Sequence, residues 1–315
     1  MSRLSELEKT AIGRFRAFEP EDGYYLAYSG GKDSDCIKIL AQLSGVKFEA
    51  VHNLTTVDAP ETVRYIKSQA DVKISYPHTS MWELIVKKGM PPTRLIRYCC
   101  EELKERGGIG KLTVTGVRWA ESTKRKESSG TIKIIGKPHD TQNQAELYGA
   151  EYMITNQGGI ILNDDNDSSR KLTEYCYRTR KTILNPIVDW NDGDVWSFLR
   201  YYKCQSNPLY QCGQKRIGCI GCPMQGPDMM KKEFALYPVY KQNYIKAFDR
   251  MVKKHSDKWR DHYARWETGQ DVFDWWTSTD SSQITFDQIL KNGKEKAPQT
   301  TGIVNGTRKN IPPQV

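Results

Sequence analysis

Short apolar segments alternate with longer segments of helical periodicity between residue 24 and about residue 118. Four segments have the length and the residue types of β-strands, namely YYLAY (24–28), KFEAVH (47–52), VKIS (72–75) and KLTVTG (111–116). The segments between them predict helices near 34–43, 60–70 and 80–88. Strands that alternate with helices are typical of a parallel sheet with helical crossovers, so the pattern predicts an α/β fold.

The alternation breaks between about residues 126 and 180. TIKIIG (131–136) and GGIILN (158–163) predict the strands of a hairpin, and NDDNDSSRK (163–171) predicts an exposed polar loop. We therefore expect an insertion or subdomain here. A helix is predicted at 191–203, where Asn191 or Asp192 caps the first turn.

The last third of the chain is aromatic and basic. Tyr244, Phe248, Met251 and Val252 fall at helical spacing, which favours amphipathic helices packed on the predicted α/β domain. The alternative is a nucleic-acid surface, because aromatic rings stack on bases and basic residues neutralise phosphates. Its candidate contacts are Lys258, Arg260 and Arg265. The segment from about residue 293 has no periodic apolar face, and we expect it to be mobile.

Composition narrows the class of protein. The chain has 315 residues, 38% of them hydrophobic, and no run of about eighteen apolar residues that would span a membrane. The N-terminal segment MSRLSELEKTAIGRF predicts an amphipathic helix without the apolar core of a signal peptide, so we expect a cytoplasmic protein. A net charge of +9 is compatible with an anionic ligand but does not identify one. Eight cysteines in such a chain indicate metal or redox chemistry.

The turn after the first predicted strand has the features of an anion site. Ser29, Gly30 and Gly31 lead from the strand to a helix that begins near Ser34. Glycine lets the backbone approach a ligand closely, the helix N-terminus attracts negative charge, and Lys32 adds a full positive charge. The turn therefore predicts a phosphate site. The alternative is an ordinary strand-to-helix turn in which the glycines serve only the backbone geometry.

The same turn, S-G-G-K-D-S, resembles the signature of the PP-loop ATP pyrophosphatases. Three more segments resemble the phosphoadenosine phosphosulfate (PAPS) reductase family in the family's order: TTVDAPETVRYIK (55–67), TGVRWAESTKR (115–125) and NPIVDWNDGDVWSFL (185–199). The resemblance implies an adenine nucleotide alpha hydrolase-like, Rossmann-like PP-loop domain at 1–225 with the insertion. A helical region at 226–292 and a tail at 293–315 would follow.

The resemblance also implies a ligand and its contacts. The ligand would be ATP with Mg²⁺, or an adenylyl sulfate (APS or PAPS), together with a sulfur donor or a thiol reductant. The nucleotide would contact Ser29, Gly30, Gly31, Lys32, Asp33, Ser34 and Asp58. Arg118 and Arg125 lie seven residues apart, so a helical continuation places them on one side for a phosphate or sulfate. The catalytic candidates are thus Lys32, Asp33, Arg118 and Arg125; the alternative for Arg118 is a solvated pair with Glu121.

Two cysteine pairs lie far apart in the sequence. Cys99 and Cys100 are adjacent, and Cys219 and Cys222 form a C-x-x-C. Together they resemble the cluster motif of the iron–sulfur branch of the family, the APS reductases and DNA phosphorothioation enzymes. We favour a [4Fe–4S] cluster over zinc, since each cysteine could then bind its own iron. The alternative is two buried helix residues and a separate redox or zinc knuckle. The histidines form no metal-ligand pattern and are interpreted as ordinary polar residues.

The chain departs from the reductases at its C-terminal end. Those enzymes attack sulfur with a cysteine in an E-C-G-L-H segment, whereas no cysteine follows Cys222 here. The sequence therefore favours adenylyl or sulfur transfer over thiol-dependent reduction of APS or PAPS. A nucleotide-sensing accessory subunit bound to nucleic acid is the third hypothesis. The acceptor, the sulfur source and the oligomeric state stay open.

Overall fold

The computed structural model describes residues 3–105, 107–155, 159–255 and 266–278. Its strands are β1 Tyr24–Ala27, β2 Phe48–Asn53, β3 Val72–Ser75, β4 Thr113–Val114, β5 Ile132–Ile135, β6 Met153–Ile154, β7 Ile160–Leu162 and β8 Lys181–Leu184. Its α-helices are α1 Arg3–Ala17, α2 Lys32–Ser44, α3 Pro60–Lys67, α4 Met81–Lys88, α5 Tyr98–Leu103, α6 Thr123–Ser128, α7 Pro138–Leu147, α8 Asp167–Thr179, α9 Asp192–Tyr201, α10 Pro227–Leu236, α11 Pro238–Lys254 and α12 Gly269–Trp276. The tail and the candidates Lys258, Arg260 and Arg265 lie outside the described residues.

The eight strands form one sheet in the order β3-β2-β1-β4-β8-β5-β7-β6. The first five strands in this order are parallel, and Leu26 in β1 stands between Ala50 and Val114 of its neighbours. The chain runs outward from β1 to β2 and β3 and then crosses to β4 on the other side of β1. This reversal creates a crevice at the carboxyl ends of β1 and β4, where open α/β sheets bind ligands. The predicted α/β fold is confirmed.

The predicted insertion joins the same sheet. β5 pairs antiparallel with β8 and with β7, so the strands predicted at 131–136 and 158–163 are neighbours. They do not form the predicted hairpin, because α7 and β6 lie between them in the chain. The prediction of a loop throughout 163–171 is wrong, because α8 begins at Asp167. Asn166 caps this helix by accepting a hydrogen bond from the Ser169 N–H at 2.9 Å. The domain boundaries themselves stay a prediction.

The described residues form two hydrophobic cores. The first packs α1, α2, α8 and α9 onto the sheet and includes the fully buried Phe15, Leu26 and Trp190. The second joins α4, α5, α10, α11 and α12 around Tyr244 and Trp276. The four apolar positions predicted on one face of α11 are all buried. No helix in the described ranges combines the length and apolar character that crossing a membrane requires.

Candidate functional site

The phosphate loop, residues 29–34, joins β1 to the first turn of α2. Gly30 has φ of +71°, and a β-carbon there would lie 2.9 Å from the Ile66 side chain, so glycine is required on both counts. The Ser34 hydroxyl accepts a hydrogen bond from the Gly31 N–H at 3.0 Å and donates one to the Gly31 carbonyl at 2.7 Å. The loop is therefore held in shape by its own side chains.

Four charged side chains form a network at the start of α2. Lys32 Nζ lies 3.2 Å from Asp33 and 3.5 Å from Asp192. Arg118 is 1% exposed and binds the same two carboxylates, with Nε 2.7 Å from Asp33 and Nη2 2.7 Å from Asp192. Burial opposes the charge of Arg118, yet the two carboxylates raise its pKa overall. Arg118 thus helps to neutralise the two carboxylates beside Lys32.

The prediction that Arg118 and Arg125 lie on one helical continuation is wrong. A 3-10 turn ends at Glu121, and Ser122 is extended with ψ of 155° before it caps α6. Arg125 instead pairs with Glu121 at 3.0 Å. The guanidinium of Arg118 does not bind Glu121 as the alternative supposed; only its backbone N–H approaches that carboxylate, at 3.4 Å. A phosphate contact of either arginine stays a prediction.

A cavity of about 130 Å³, here the strand-end cavity, lies at the carboxyl ends of β1 and β2. Ser29 of the phosphate loop, Asp58, Thr62 and Lys104 contribute to its wall. His52 also lines it, is 5% exposed, and has no hydrogen-bond partner for Nε2, which lies 3.9 Å from Asp58. A buried imidazole nitrogen without a partner is costly unless a ligand or water meets it. The cavity is therefore suited to a polar ligand.

Asp58 stands between the strand-end cavity and the cysteines. It is buried, accepts a hydrogen bond from the Thr55 N–H at 2.7 Å, and forms a β-bridge with Cys219. Burial raises the pKa of Asp58, but nearby His52 and Lys104 and the Thr55 N–H outweigh it, so the pKa is lowered overall. Asp58 is thus an anion at neutral pH. It lines the strand-end cavity, and the sequence analysis predicted it as a nucleotide contact.

The structure brings the two cysteine pairs into one region. Cys99 interacts electrostatically with Cys100, Cys219 and Cys222. Cys222 interacts in the same way with Cys219 and Cys100. A hydrogen bond with Cys99 lowers the pKa of Cys100 to about 6, whereas burial raises the pKa of Cys219 and of Cys222. Within the described ranges, no three His, Cys, Asp or Glu side chains converge closely enough to hold a single metal ion.

The second pair sits in a tight loop. Gly221 has φ of +70°, and a β-carbon there would lie 2.4 Å from the Phe234 ring. Its N–H donates to Glu233 at 2.8 Å, and the Tyr244 hydroxyl donates to the Ile220 carbonyl at 3.0 Å. Helices α10 and α11 therefore hold the C-x-x-C against the second core.

Lys104 connects the cavity to the cysteines. The residue as a whole is exposed, but its ammonium lies near enough to Cys219, Asp58 and Cys100 to attract their negative charge. Attraction to Cys219 is the main cause that raises the pKa of Lys104, and burial of the ammonium opposes it. Lys104 therefore places a permanent positive charge between the strand-end cavity and the sulfur atoms.

Sequence reasoning missed three contributors to this site. Lys104 lies four residues after Cys100, one helical turn on, and that spacing was a usable signal. His52 is the second-last residue of β2 and was interpreted as an ordinary polar residue; its position near the end of a parallel strand was the signal. Tyr210 gave no local signal, because its contact with the phosphate loop spans 178 residues.

The comparison with family models decides the family. Residues 23–225 match the model described as "Phosphoadenosine phosphosulfate reductase domain", which is more than half of the chain. The chain belongs to the PAPS reductase family. In this PAPS reductase family member the four motifs meet around the phosphate loop: Gly30 packs against Ile66, and Arg118 and Asp192 join Lys32 and Asp33.

The chain is similar to proteins of differing description. An uncharacterized protein of Methanocaldococcus jannaschii is 24% identical over 79% of this chain and 54% of its own. An adenosine 5'-phosphosulfate reductase of Allochromatium vinosum is 41% identical over 12% of this chain and 15% of its own. The chain thus spans about half of the first relative and a small part of the second. Among solved structures, a U34-tRNA thiolase of Methanococcus maripaludis with its [4Fe–4S] cluster is 12% identical, with a TM-score of 0.39 over 84% of this chain and 83% of its own.

Proposed function

We propose that this PAPS reductase family member binds ATP or an adenylyl sulfate at the phosphate loop and carries out adenylyl or sulfur transfer beside an iron–sulfur cluster. One observation carries the proposal: Lys104 lines the strand-end cavity and also reaches Cys219. Nucleotide and sulfur chemistry would therefore share one edge of the sheet. Their charges would also be coupled through a single side chain.

The phosphate loop would hold the anionic part of the nucleotide. The N-terminus of α2 supplies a positive field, and Lys32 supplies an ammonium that is 6% exposed and held by Asp33 and Asp192. With ATP, an acceptor oxygen would form a bond to the α-phosphorus while the bond to the β-phosphate oxygen breaks. Lys32 would then stabilise the departing pyrophosphate. Mg²⁺ bound with ATP would neutralise further phosphate charge.

The four cysteines would hold the cluster. Their thiols lie within electrostatic range of one another, and a [4Fe–4S] cluster needs one thiolate for each iron. Lys104 supports the ionised form of Cys100 and Cys219, which is the form that binds iron. When bound, the cluster would supply an iron that can carry or activate sulfur. Zinc is the alternative metal.

The test is an anaerobic purification in which iron, sulfide and zinc are counted, followed by an assay of pyrophosphate release from ATP. We expect about four iron and four sulfide per chain, from the stoichiometry of the cluster, together with pyrophosphate. Lys32→Ala should lower pyrophosphate release by about 100-fold or more, since it removes a charge next to the leaving group. Lys38→Ala is the matched control, because Lys38 is a buried lysine of the same helix that pairs with Asp71.

A second candidate function is thiol-dependent reduction of APS or PAPS. The short match to an adenosine 5'-phosphosulfate reductase supports it. Sulfite release from APS or PAPS that requires an added thiol would favour this reaction over adenylyl transfer. Pyrophosphate release unchanged in Lys32→Ala, or protein without iron and sulfide, would contradict the first proposal.

A further inference from the structure

The hydroxyl of Tyr210 contacts the phosphate loop from outside the strand-end cavity. Its oxygen accepts a hydrogen bond from the Lys32 backbone N–H at 2.9 Å. The same oxygen lies 3.2 Å from the place where a β-carbon on Gly31 would stand. The first amide of α2 is thus bound by a phenol at the point where a helix N-terminus attracts anions.

Two contacts hold Tyr210 in this position. Asn207 is fully buried, and its Nδ2 donates to the Gly30 carbonyl and to the Thr62 hydroxyl, each at 3.1 Å. The Tyr210 ring meets Trp196 edge to face, with centroids 5.1 Å apart. The segment 207–210 therefore binds the phosphate loop at both of its ends, through the Asn207 amide and the Tyr210 hydroxyl.

The hydroxyl still has a proton to donate. Among the residues that the structure describes, its hydrogen-bond partner is the Lys32 N–H, to which it is the acceptor. Burial raises the pKa of Tyr210, and Asp33, Asp35 and Asp192 act in the same direction, so the phenol stays protonated at neutral pH. Lys32 and Tyr210 both line a cavity of about 980 Å³, whose wall also includes Tyr65 of α3 and Trp196 of α9. The free O–H therefore lies beside the loop lysine.

We propose that Tyr210 is a substrate-contacting residue that donates its hydroxyl proton to a phosphate oxygen of the nucleotide while it accepts the Lys32 N–H. This inference rests on the proposed function, in that a nucleotide occupies the phosphate loop. A hydroxyl that accepts one hydrogen bond donates the next more strongly, so the Lys32 amide polarises the phenol toward the anion. Tyr210 would thus recognise the phosphate part of the ligand and leave the nucleoside part to the strand-end cavity.

The opposite role makes the opposite prediction. If the hydroxyl only occupies the Lys32 amide in place of an anion, a bound phosphate has to displace it. Removal of the hydroxyl would then tighten nucleotide binding, because one competitor for the amide is lost. The sign of the change in affinity therefore distinguishes a donor from a competitor.

The test is isothermal titration of wild type and Tyr210→Phe with ATP plus Mg²⁺ and with adenosine. Phenylalanine keeps the ring that packs on Trp196. We expect the dissociation constant for ATP to rise by about 10- to 100-fold, the effect of a hydrogen bond to a charged group. The constant for adenosine should not change. Tyr202→Phe is the matched control, because its hydroxyl donates to Glu8 at 2.7 Å instead of serving the loop.

Each other result overturns the proposal in a recognisable way. If Tyr210→Phe binds ATP as tightly as wild type does, the hydroxyl has no role in binding. If the variant binds ATP more tightly, the hydroxyl competes with the phosphate for the Lys32 amide. Equal losses for ATP and adenosine show a packing role. Wild type that binds neither ATP nor, in the same titration, adenylyl sulfate overturns the proposed function itself, and this result is distinct because it appears without any substitution.

Discussion

The phosphate loop and the cysteine region meet at one edge of the sheet but are held by different forces. The loop depends on short-range hydrogen bonds and on the buried network of Lys32, Asp33 and Arg118. The cysteine region, residues 99–100 and 219–222, depends on aromatic packing from α10 to α12 and on one β-bridge to Asp58. The position of the phosphate loop (the nucleotide half) is thus determined by the sheet, and the position of the cysteine region (the sulfur half) by the helices packed beside it. The two halves should therefore fail separately.

The largest expected effect is loss of the proposed iron–sulfur cluster without loss of ATP binding. Cys219→Ser should remove most of the bound iron and the brown colour of anaerobically purified protein, because a thiolate ligand is lost. ATP affinity should stay within about two-fold, since the loop does not depend on the cysteines for its shape. Iron analysis and titration calorimetry measure the two effects.

Cys212→Ser is the control for this change, because Cys212 is exposed and outside the cysteine region. If Cys219→Ser keeps its iron, or if Cys212→Ser loses it, the assignment of ligands is wrong. A parallel loss of ATP binding would show that the two halves are one cooperative unit.

The next effect concerns the stability of the loop side. Asp33→Ala should lower the free energy of unfolding by about 3 kcal/mol, because Arg118 is left buried with one carboxylate instead of two. Lys32→Ala is the matched variant, since it leaves both partners of Arg118 in place, and it should change stability by less than about 1 kcal/mol. Urea unfolding measures both, and equal losses would contradict the role of Arg118 as the buried centre of this network.

The smallest effect is a pH dependence. Asp35 is 1% exposed and accepts hydrogen bonds from the hydroxyls of Tyr28 at 2.5 Å and Tyr65 at 3.1 Å. Burial is the main cause that raises its pKa to about 6, against an ordinary value of 3.8, although these hydroxyls and Lys38 oppose the rise. The folded state therefore binds this proton more tightly than the unfolded state, and the stabilisation is lost as the pH rises through 6.

Asp35→Asn should remove this dependence. Relative to wild type, the variant should gain about 1 kcal/mol in the free energy of unfolding between pH 5 and pH 8. Urea unfolding at the two pH values measures it. Glu233→Gln is the counterpart in the second core, because burial also raises the pKa of Glu233. Opposite signs at the two sites would contradict burial as the common cause.

Sequence reasoning succeeded for some elements of the sheet side and failed for others. VKIS was predicted as a strand at 72–75 and forms β3 with the same bounds, because a short alternating segment between turns leaves one choice. The polar segment 163–171 was assigned to a loop although Asn166 starts a helix there. The first residues of α8 are polar, so the sequence showed no apolar periodicity there. The buried face of the helix includes Ser169, Leu172 and Cys176, and its apolar residues lie beyond the polar segment.

The sequence by itself determined the α/β class, the phosphate loop and the identity of the four cysteines, since each depends on residues that are neighbours in the chain. Only the tertiary structure decided what surrounds them. Arg118 binds Asp33 across 85 residues, and Tyr210 reaches Lys32 across 178. Local patterns cannot encode such contacts, because packing of whole elements decides which side chains meet. That packing also pairs Arg118 with the carboxylates of Asp33 and Asp192, and it places Lys104 between the strand-end cavity and the sulfur atoms.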